Sequence, residues 1–230
     1  MNTILAMDTS GPSLSVALTQ EERVVFECVQ QNGLTHSDSL MPMIDQALKA
    51  AGLGLGDVDC LAAVHGPGSF TGVRIGVATA KALSHGTGKP CIGINALEAL
   101  AMGAALSGGV VCPMQDARAG QVYAAAFQGK RRMLADMAIG LEDFLSQIRP
   151  FGRCCFVGDG AVRHKDAITE AMGEAAVFPP MGQMQLRASQ VAVLAARYGD
   201  QAGDWRGLMP YYLRLPQAER ERASREAAHG

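Results

Sequence analysis

Aromatic residues and excess charge are both scarce in this 230-residue chain. Aromatics make up 5% of it, with a single tryptophan, whereas apolar residues in total make up 48%. This composition supplies a sizeable core of aliphatic and small side chains, and it excludes a largely disordered chain. The formal net charge is −2. Proteins that hold nucleic acid through their own phosphate contacts usually carry a basic excess, so any role with RNA would need a partner that supplies the basic surface.

Metal-binding, secretion and membrane signatures are also missing. The six cysteines include no C-x-x-C pair and no zinc-ligand spacing, and most lie in apolar runs. They are therefore expected to be buried free thiols in a reducing compartment. The N-terminus lacks a secretion-signal pattern, and no run reaches about 18 uninterrupted apolar residues. We expect a cytoplasmic protein that does not enter a membrane.

The order of apolar runs predicts an α/β protein with mixed sheets. Three strands open the chain, and Asp8 ends the first of them. A helix is predicted over His36–Ala51 because its apolar residues fall on one stripe. A second helix, Thr71–His85, is predicted after a buried strand at 59–64. Further helices are predicted at 96–106, 141–148, 165–172 and 188–198, strands at 91–94, 154–157 and 176–178, and a turn at 158–161.

The second half of the chain restarts with the pattern of the first. Asp116, like Asp8, ends an apolar strand that a short turn connects to a second strand. This echo suggests two related lobes, although two unrelated hairpins would give the same weak pattern. With the boundary at Gly108 and Gly109, we expect an N-terminal lobe over 1–107 that includes part of the C-terminal segment. A second lobe over 108–214 and a charged tail over 215–230 would follow.

Residues 66–76 read G-P-G-S-F-T-G-V-R-I-G. Gly66 and Gly68 permit a tight turn with positive φ, and Ser69 or Thr71 can cap the helix that follows. Phosphate binding at that helix N-terminus is conceivable, since free N–H groups point outward there. The Walker lysine does not follow, however, so a structural turn with a closely packed helix is the other interpretation.

This string resembles the signature of the TsaB (YeaZ-like) family. The runs I-L-A-M-D-T-S, H-S-D-S-L-M-P-M-I, D-A-R-A-G-Q-V-Y, V-G-D-G-A and Y-Y-L-R fit that family in the same order, over residues 4–214. The family belongs to the actin/sugar-kinase/Hsp70-like (ASKHA, RNase H-like) superfamily. The resemblance therefore implies a two-lobe actin-like α/β fold with mixed sheets flanked by helices.

The resemblance also implies a function in tRNA modification. Such a protein would be a non-catalytic partner of a TsaD-like catalytic subunit and a TsaE-like ATPase. Together these transfer threonylcarbamoyl to N6 of the adenosine beside the tRNA anticodon, and the chain would meet tRNA only through the complex.

The related catalytic subunit carries N-H-M-E-G-H, in which two histidines on one helix face bind a metal. The corresponding run here is N-A-L-E-A-L, with Ala96 and Leu100 at the ligand positions. We therefore expect no metal, no cofactor and no catalytic residue. The alternative is an independent actin-fold small-molecule kinase or a glycoprotease-like peptidase. His65 would be a candidate general base for the peptidase, but no nucleophile with an orienting carboxylate is recognisable around it.

Asp8 and Asp116 occupy the places where ATPases of the superfamily hold Mg-phosphate. The further glycine and lysine features of a working kinase are missing. A weakly bound nucleotide would contact Asp8, Ser69 and Asp116. Arg74 and Arg118 are expected to form ion pairs at the surface or at an interface.

The main partner interface is expected on the helices His36–Ala51 and Thr71–His85. The first has more apolar surface than one stripe needs, including adaptable methionines, and the second has a bare face of small residues. The predicted interface residues are Leu40, Met41, Met43, Ile44, Gly72, Val73, Gly76 and Ala80. The same surface would form a homodimer without the partner, and a pseudo-symmetric heterodimer with it. The other possibility is that the glycine face packs inside the chain.

Overall fold

The computed structural model describes residues 1–21, 23–104 and 109–214. Its ten strands form two mixed sheets of five strands each. The strands of the first are β1 (Thr3–Asp8), β2 (Leu14–Gln20), β3 (Arg23–Gln30), β4 (Cys60–Gly66) and β5 (Cys91–Asn95). Those of the second are β6 (Val110–Arg118), β7 (Gln121–Gln128), β8 (Arg131–Gly140), β9 (Cys154–Val157) and β10 (Ala176–Val177).

The two sheets have the same topology. Their strand orders are β3-β2-β1-β4-β5 and β8-β7-β6-β9-β10. In each, the first three strands form an antiparallel meander, and the last two strands add in parallel beside the first. The echo in the sequence therefore corresponds to a repeated arrangement of strands. The boundary glycine Gly108 and the tail over 215–230 lie outside the described residues, so those limits remain predictions.

Seven helices of the described residues cover these sheets: α1 (His36–Ala51), α2 (Phe70–Thr87), α3 (Ala96–Gly103), α4 (Leu141–Ile148), α5 (Asp159–Arg163), α6 (Lys165–Met172) and α7 (Ala188–Arg197). Helices α1 and α2 pack on the outer face of the first sheet, and α4 and α6 on that of the second. Helices α3 and α7 lie between the sheets, with α7 against β1 and β2. No helix in the described part of the chain is long and apolar enough to cross a membrane.

Strand β1 explains why the opening run is apolar without alternation. All six of its residues are buried. Ile4 and Ala6 face the helices between the sheets, whereas Leu5 and Met7 face α1 and α2. A strand covered on both faces has no position left for a solvent-exposed polar residue.

Two elements differ from the prediction. Strand β8 was not predicted, and the segment expected as a turn at 158–161 contains the start of α5. In β8, most positions are half-buried on both faces, so apolar and polar residues do not alternate. Helix α5 is five residues long, which is too short to carry a helical period.

Candidate functional site

Two adjoining cavities open between the lobes. The first has a volume of about 360 Å³ and the second of about 620 Å³. Both are lined by Gly11 and Pro12 from the turn after β1, by Gln115 and Asp116 from the end of β6, and by Asp159 at the start of α5. The inter-lobe cleft thus forms where equivalent strands of the two sheets end.

The turn after β1 packs directly on the N-terminus of α2. A Cβ at Gly68 would lie 2.6 Å from the Ser10 carbonyl oxygen, and one at Gly72 would lie 2.1 Å from that of Thr9. The Ser69 N–H donates a 2.7 Å hydrogen bond to the Ser10 carbonyl oxygen, and the Thr9 hydroxyl donates to that of Gly72 at 2.6 Å. The Ser69 amide is therefore used within the chain, which favours the structural interpretation of the glycine turn over a phosphate site.

The bare face of α2 also packs inside the chain, which was the other possibility for its small residues. A Cβ at Gly76 would lie 2.6 Å from the Thr9 hydroxyl oxygen, so the turn after β1 occupies this face. Seven of the eight predicted interface residues are buried in the chain's own core: Leu40, Met43, Ile44, Gly72, Val73, Gly76 and Ala80. Met41 is 48% exposed. Only Met41 is placed to meet a partner directly, and the other seven support the two helices from beneath.

Three carboxylates from both lobes line the first cavity: Asp8, Asp116 and Asp159. Asp8 is 1% exposed, and burial raises its pKa from 3.8 to about 6, although the Ser10 N–H donates to its Oδ1 at 2.8 Å. Burial also raises the pKa of Asp159, whose Oδ2 accepts a hydrogen bond from the Asp116 N–H at 3.2 Å. Raised carboxyl pKa values in a cleft are typical of binding or catalytic sites.

The predicted nucleotide contacts all border the cleft. Asp8 lines the first cavity, Ser69 the second, and Asp116 both. Asp116 forms an ion pair with Arg163, with 3.1 Å between the carboxylate oxygen and the guanidinium nitrogen. Whether these residues contact a nucleotide remains a prediction. Asp159 was missed in the sequence, although it follows an apolar strand and precedes a glycine.

The two arginines expected in ion pairs have different surroundings. Arg74 lies with its guanidinium 3.9 Å from the centre of the Phe70 ring, and its Nε donates to the Tyr212 hydroxyl at 2.9 Å. Arg118 is exposed at the β6–β7 turn with φ 64°, and it lines the second cavity. Arg74 is thus held by aromatic rings rather than by a carboxylate.

The run 95–100 packs largely in the core, and its last residue, Leu100, also lines the first cavity. Ala96 and Leu100 are 0% and 2% exposed. Asn95 caps α3 by accepting a 2.9 Å hydrogen bond from the Glu98 N–H. Glu98 accepts a hydrogen bond from the Tyr198 hydroxyl and lies 3.8 Å from Arg132. Among the described residues, no three His, Cys, Asp or Glu side chains form a group that could hold a metal ion.

His65 is held against the C-terminal segment. Its ring stacks on Tyr211 with 5.8 Å between centres, and its carbonyl oxygen accepts a 2.7 Å hydrogen bond from the Tyr211 N–H. Burial lowers the pKa of its imidazole. These contacts describe a packed histidine at the end of β4.

The sequence is 35% identical over 222 residues to the Bacillus subtilis (strain 168) protein named tRNA threonylcarbamoyladenosine biosynthesis protein TsaB. The match covers 94% of this chain and 96% of that protein. The chain belongs to the TsaB family. A second TsaB, from Escherichia coli (strain K12), is 40% identical over 129 residues, which are 54% of each chain.

Related families and structures agree with this membership. The family described as "TsaD: tRNA N6-adenosine threonylcarbamoyltransferase" matches residues 30–149. The structure titled "YeaZ from Pseudomonas aeruginosa" superposes with a TM-score of 0.77 at 27% identity, over 93% of this chain and 100% of that one. Component A of the Acidaminococcus fermentans (R)-2-hydroxyglutaryl-CoA dehydratase gives a TM-score of 0.52 at 11% identity, covering 87% and 100%, so it is similar in fold alone. The predicted two-lobe actin-like fold is confirmed.

Proposed function

We propose that this TsaB family member is a non-catalytic subunit required for threonylcarbamoyl transfer to N6 of the adenosine beside the tRNA anticodon. It acts with a TsaD-like catalytic subunit and a TsaE-like ATPase. The observation that carries the proposal is the similarity to the Bacillus subtilis TsaB along nearly the whole of both chains. The accessory role is thus inferred from membership of the TsaB family.

The surroundings of the cleft support the accessory role. The amide of Ser69, at the N-terminus of α2, is bonded to the turn after β1, where a kinase would need it for phosphate. Ala96 and Leu100 fill core positions with aliphatic carbon, which cannot coordinate a metal. The formal net charge of −2 leaves tRNA binding to a partner.

Reconstitution tests the proposal. A TsaD-like protein, a TsaE-like protein, threonylcarbamoyl-adenylate, ATP and unmodified tRNA are incubated with and without this chain, and the modified nucleoside is measured by mass spectrometry. We expect product only when the chain is present together with both partners. Product from the two partners alone at the full rate would show that the chain is not required.

A second assay, on the chain alone, tests the alternatives that it is an independent kinase or peptidase. The chain alone is given ATP with candidate small-molecule acceptors, and separately a peptide library. We expect no phosphoryl transfer and no cleavage. Turnover by the chain alone that disappears on Asp8→Asn would favour a kinase and contradict the non-catalytic role.

We further propose that the outward faces of α1 and α2 form the partner interface. Met41 is an exposed large apolar residue of α1, and α2 exposes small side chains such as Ala78. The two helices contact each other on the first sheet, so together they present one continuous surface. A partner with the same helix pair would make a four-helix contact, and the same surface would serve a homodimer when no partner is present.

A further inference from the structure

The first cavity is lined by more anionic than cationic side chains. Asp8, Asp116 and Asp159 contribute carboxylates, and apolar side chains such as Leu100 and Leu186 form much of the remaining wall. Arg163 also lines the cavity, and it pairs with Asp116. The Arg163 side chain is 65% exposed. Among the described residues, neither Asp8 nor Asp159 forms an ion pair. The cavity therefore holds an excess of negative charge in surroundings that disfavour it.

Gln115 adds an acceptor that the folded chain leaves unused. The side chain is 4% exposed and lines both cavities. Its Nε2 donates to the Ser10 hydroxyl at 3.2 Å, whereas its Oε1 is buried and has no hydrogen-bond partner among the described residues. A buried acceptor without a donor costs about 1–3 kcal/mol. An N–H group brought by a ligand would remove that cost.

We propose that the first cavity binds the cationic head of a small organic amine or guanidine, with the ligand's apolar stem against the aliphatic wall. A volume of about 360 Å³ accommodates a small molecule. The acceptors come from β1, β6 and α5 and do not form a cluster suited to a metal ion. A cation with several N–H groups can reach acceptors in different directions, whereas a phosphate would meet three carboxylates.

The charged groups around Asp8 give binding a defined pH dependence. Asp159 repels its charge, and His36 favours its ionised form. Asp116 repels the charge of Asp159 and pairs with Arg163. Burial raises the pKa of Asp8 to about 6 in the folded chain. A bound cation favours the carboxylate, so affinity is full above that pH and is lost as Asp8 becomes protonated below it.

Nuclear magnetic resonance titration of the full chain tests the proposal. The probes are n-butylammonium, the neutral butan-1-ol, the anionic butyrate, and AMP. At pH 7.5 we expect n-butylammonium to bind in the millimolar range and to shift the Gln115 side-chain amide and the Asp8 and Asp159 carboxyl carbons. The other three probes should bind at least about tenfold more weakly. At pH 5 the n-butylammonium affinity should fall by about tenfold, because Asp8 is then largely protonated.

Variants locate the site. Asp8→Asn and Gln115→Met should each weaken n-butylammonium binding by about tenfold, whereas Asp143→Asn, on the exposed face of α4, should leave it unchanged. Asp8→Asn and Gln115→Met are close in shape to the residues they replace, and thermal melting verifies that each is folded. Equal binding of butan-1-ol and n-butylammonium, preferential binding of AMP, or wild-type affinity in both cleft variants would overturn the proposal. The site uses no partner protein, so this outcome would leave the proposed function untouched.

Discussion

Glycines of α2 have two different roles that the sequence alone does not separate. Gly72 and Gly86 lie on the same helix. A Cβ at Gly72 would be 2.1 Å from the Thr9 carbonyl oxygen, whereas a Cβ at Gly86 would have nothing within 4 Å. The first glycine is required by a backbone contact, and the second carries only the entropic cost of a helical glycine.

Alanine substitution should therefore act in opposite directions at these two positions. We expect Gly72→Ala to destabilise the protein by about 3 kcal/mol or more, because the β1–β2 turn must move. Gly86→Ala should stabilise it by about 0.5–1 kcal/mol through helix propensity and a less flexible unfolded chain. Urea unfolding of both variants measures the difference. A Gly72→Ala variant as stable as the wild type would mean that the contact with Thr9 is not tight.

Asp8 gives stability a pH dependence with a definite sign. Its pKa is about 6 in the folded protein against 3.8 for an unperturbed aspartate, because burial disfavours the charged form. Between these pH values the folded state binds more protons than the unfolded state, so stability falls as pH rises. The cost of the charge is complete above about pH 6 and absent below about pH 4.

Asp8→Asn should remove this dependence. We expect the variant to be more stable than the wild type by about 1–3 kcal/mol at pH 7, and about equal to it at pH 4. Denaturant unfolding at the two pH values measures the change. Asp159 has a raised pKa as well and leaves a residual slope of the same sign. Loss of stability at pH 7 would show that the Asp8 carboxylate is compensated inside the folded protein.

At the scale of elements, a polar cluster joins α3 of the first lobe to β8 of the second. Arg132 bonds Asp136 and lies 3.8 Å from Glu98, and the Asn95 amide donates to Asp136 at 2.5 Å. The Tyr198 hydroxyl donates to Glu98. The side chains of Glu98 and Asp136 are 24% and 7% exposed, so the cluster is partly shielded from water. Such shielded networks matter more to stability than isolated surface pairs.

Arg132→Met should show how much this cluster contributes to the free energy of unfolding. The substitution keeps an apolar stem over Phe127 and removes the charge. We expect a loss of about 2 kcal/mol and a fall in Tm of about 4–8 °C. Arg131→Met is the matched control, because Arg131 is the exposed neighbour on the same strand, and its effect should stay within about 0.5 kcal/mol. Equal melting temperatures for the two variants would mean that the cluster does not hold the lobes together.

Elements with a strong period or a fully apolar run could be predicted from the sequence. Helix α1 has the predicted limits because three apolar residues of its stripe, Leu40, Ile44 and Ala47, are buried together. Strand β8 could not be predicted, because half-burial on both faces removes the alternation on which strand prediction depends. Helix α5 was missed because its five residues are positioned by the close approach of Gly158 and Gly160 to β6, a tertiary contact.

At the scale of the whole molecule, the repeat explains which parts of the cleft were foreseeable. Asp8 and Asp116 were predicted together because each follows an apolar run, and the structure places Asp8 at the end of β1 and Asp116 near the end of β6, in sheets of the same topology. Gln115 was not foreseen, since it lies one residue before Asp116 at the end of a run that is otherwise apolar, and only the packing of two lobes shows its unused oxygen. Seven of the eight predicted interface residues are buried in the chain's own core. The sequence did not indicate this, because a bare helix face does not tell whether its own chain or a partner fills it, and the interface itself stays a prediction.

Exposure separates partner binding from folding at the outer face of α1. Met41 is 48% exposed, whereas its neighbour Met43 is 7% exposed and belongs to the core. We expect Met41→Asp to leave Tm unchanged and to weaken binding of the TsaD-like partner by at least about tenfold, because a carboxylate would be buried without a partner in the apolar centre of the interface. Gly76→Leu, in contrast, should unfold the chain, since a Cβ there already meets the Thr9 hydroxyl.

The control for this surface is Met181→Asp. Met181 is 83% exposed and lies in the short 3-10 helix Met181–Gln183, which is not part of the proposed interface. Calorimetric titration of the partner and light scattering of the chain alone measure hetero- and homo-association. If one surface serves both, Met41→Asp should lower the mass of the isolated chain to that of a monomer, and in the wild type the homodimer should dissociate as partner is added. Wild-type partner affinity in folded Met41→Asp, equal to that of Met181→Asp, would place the interface elsewhere on the chain.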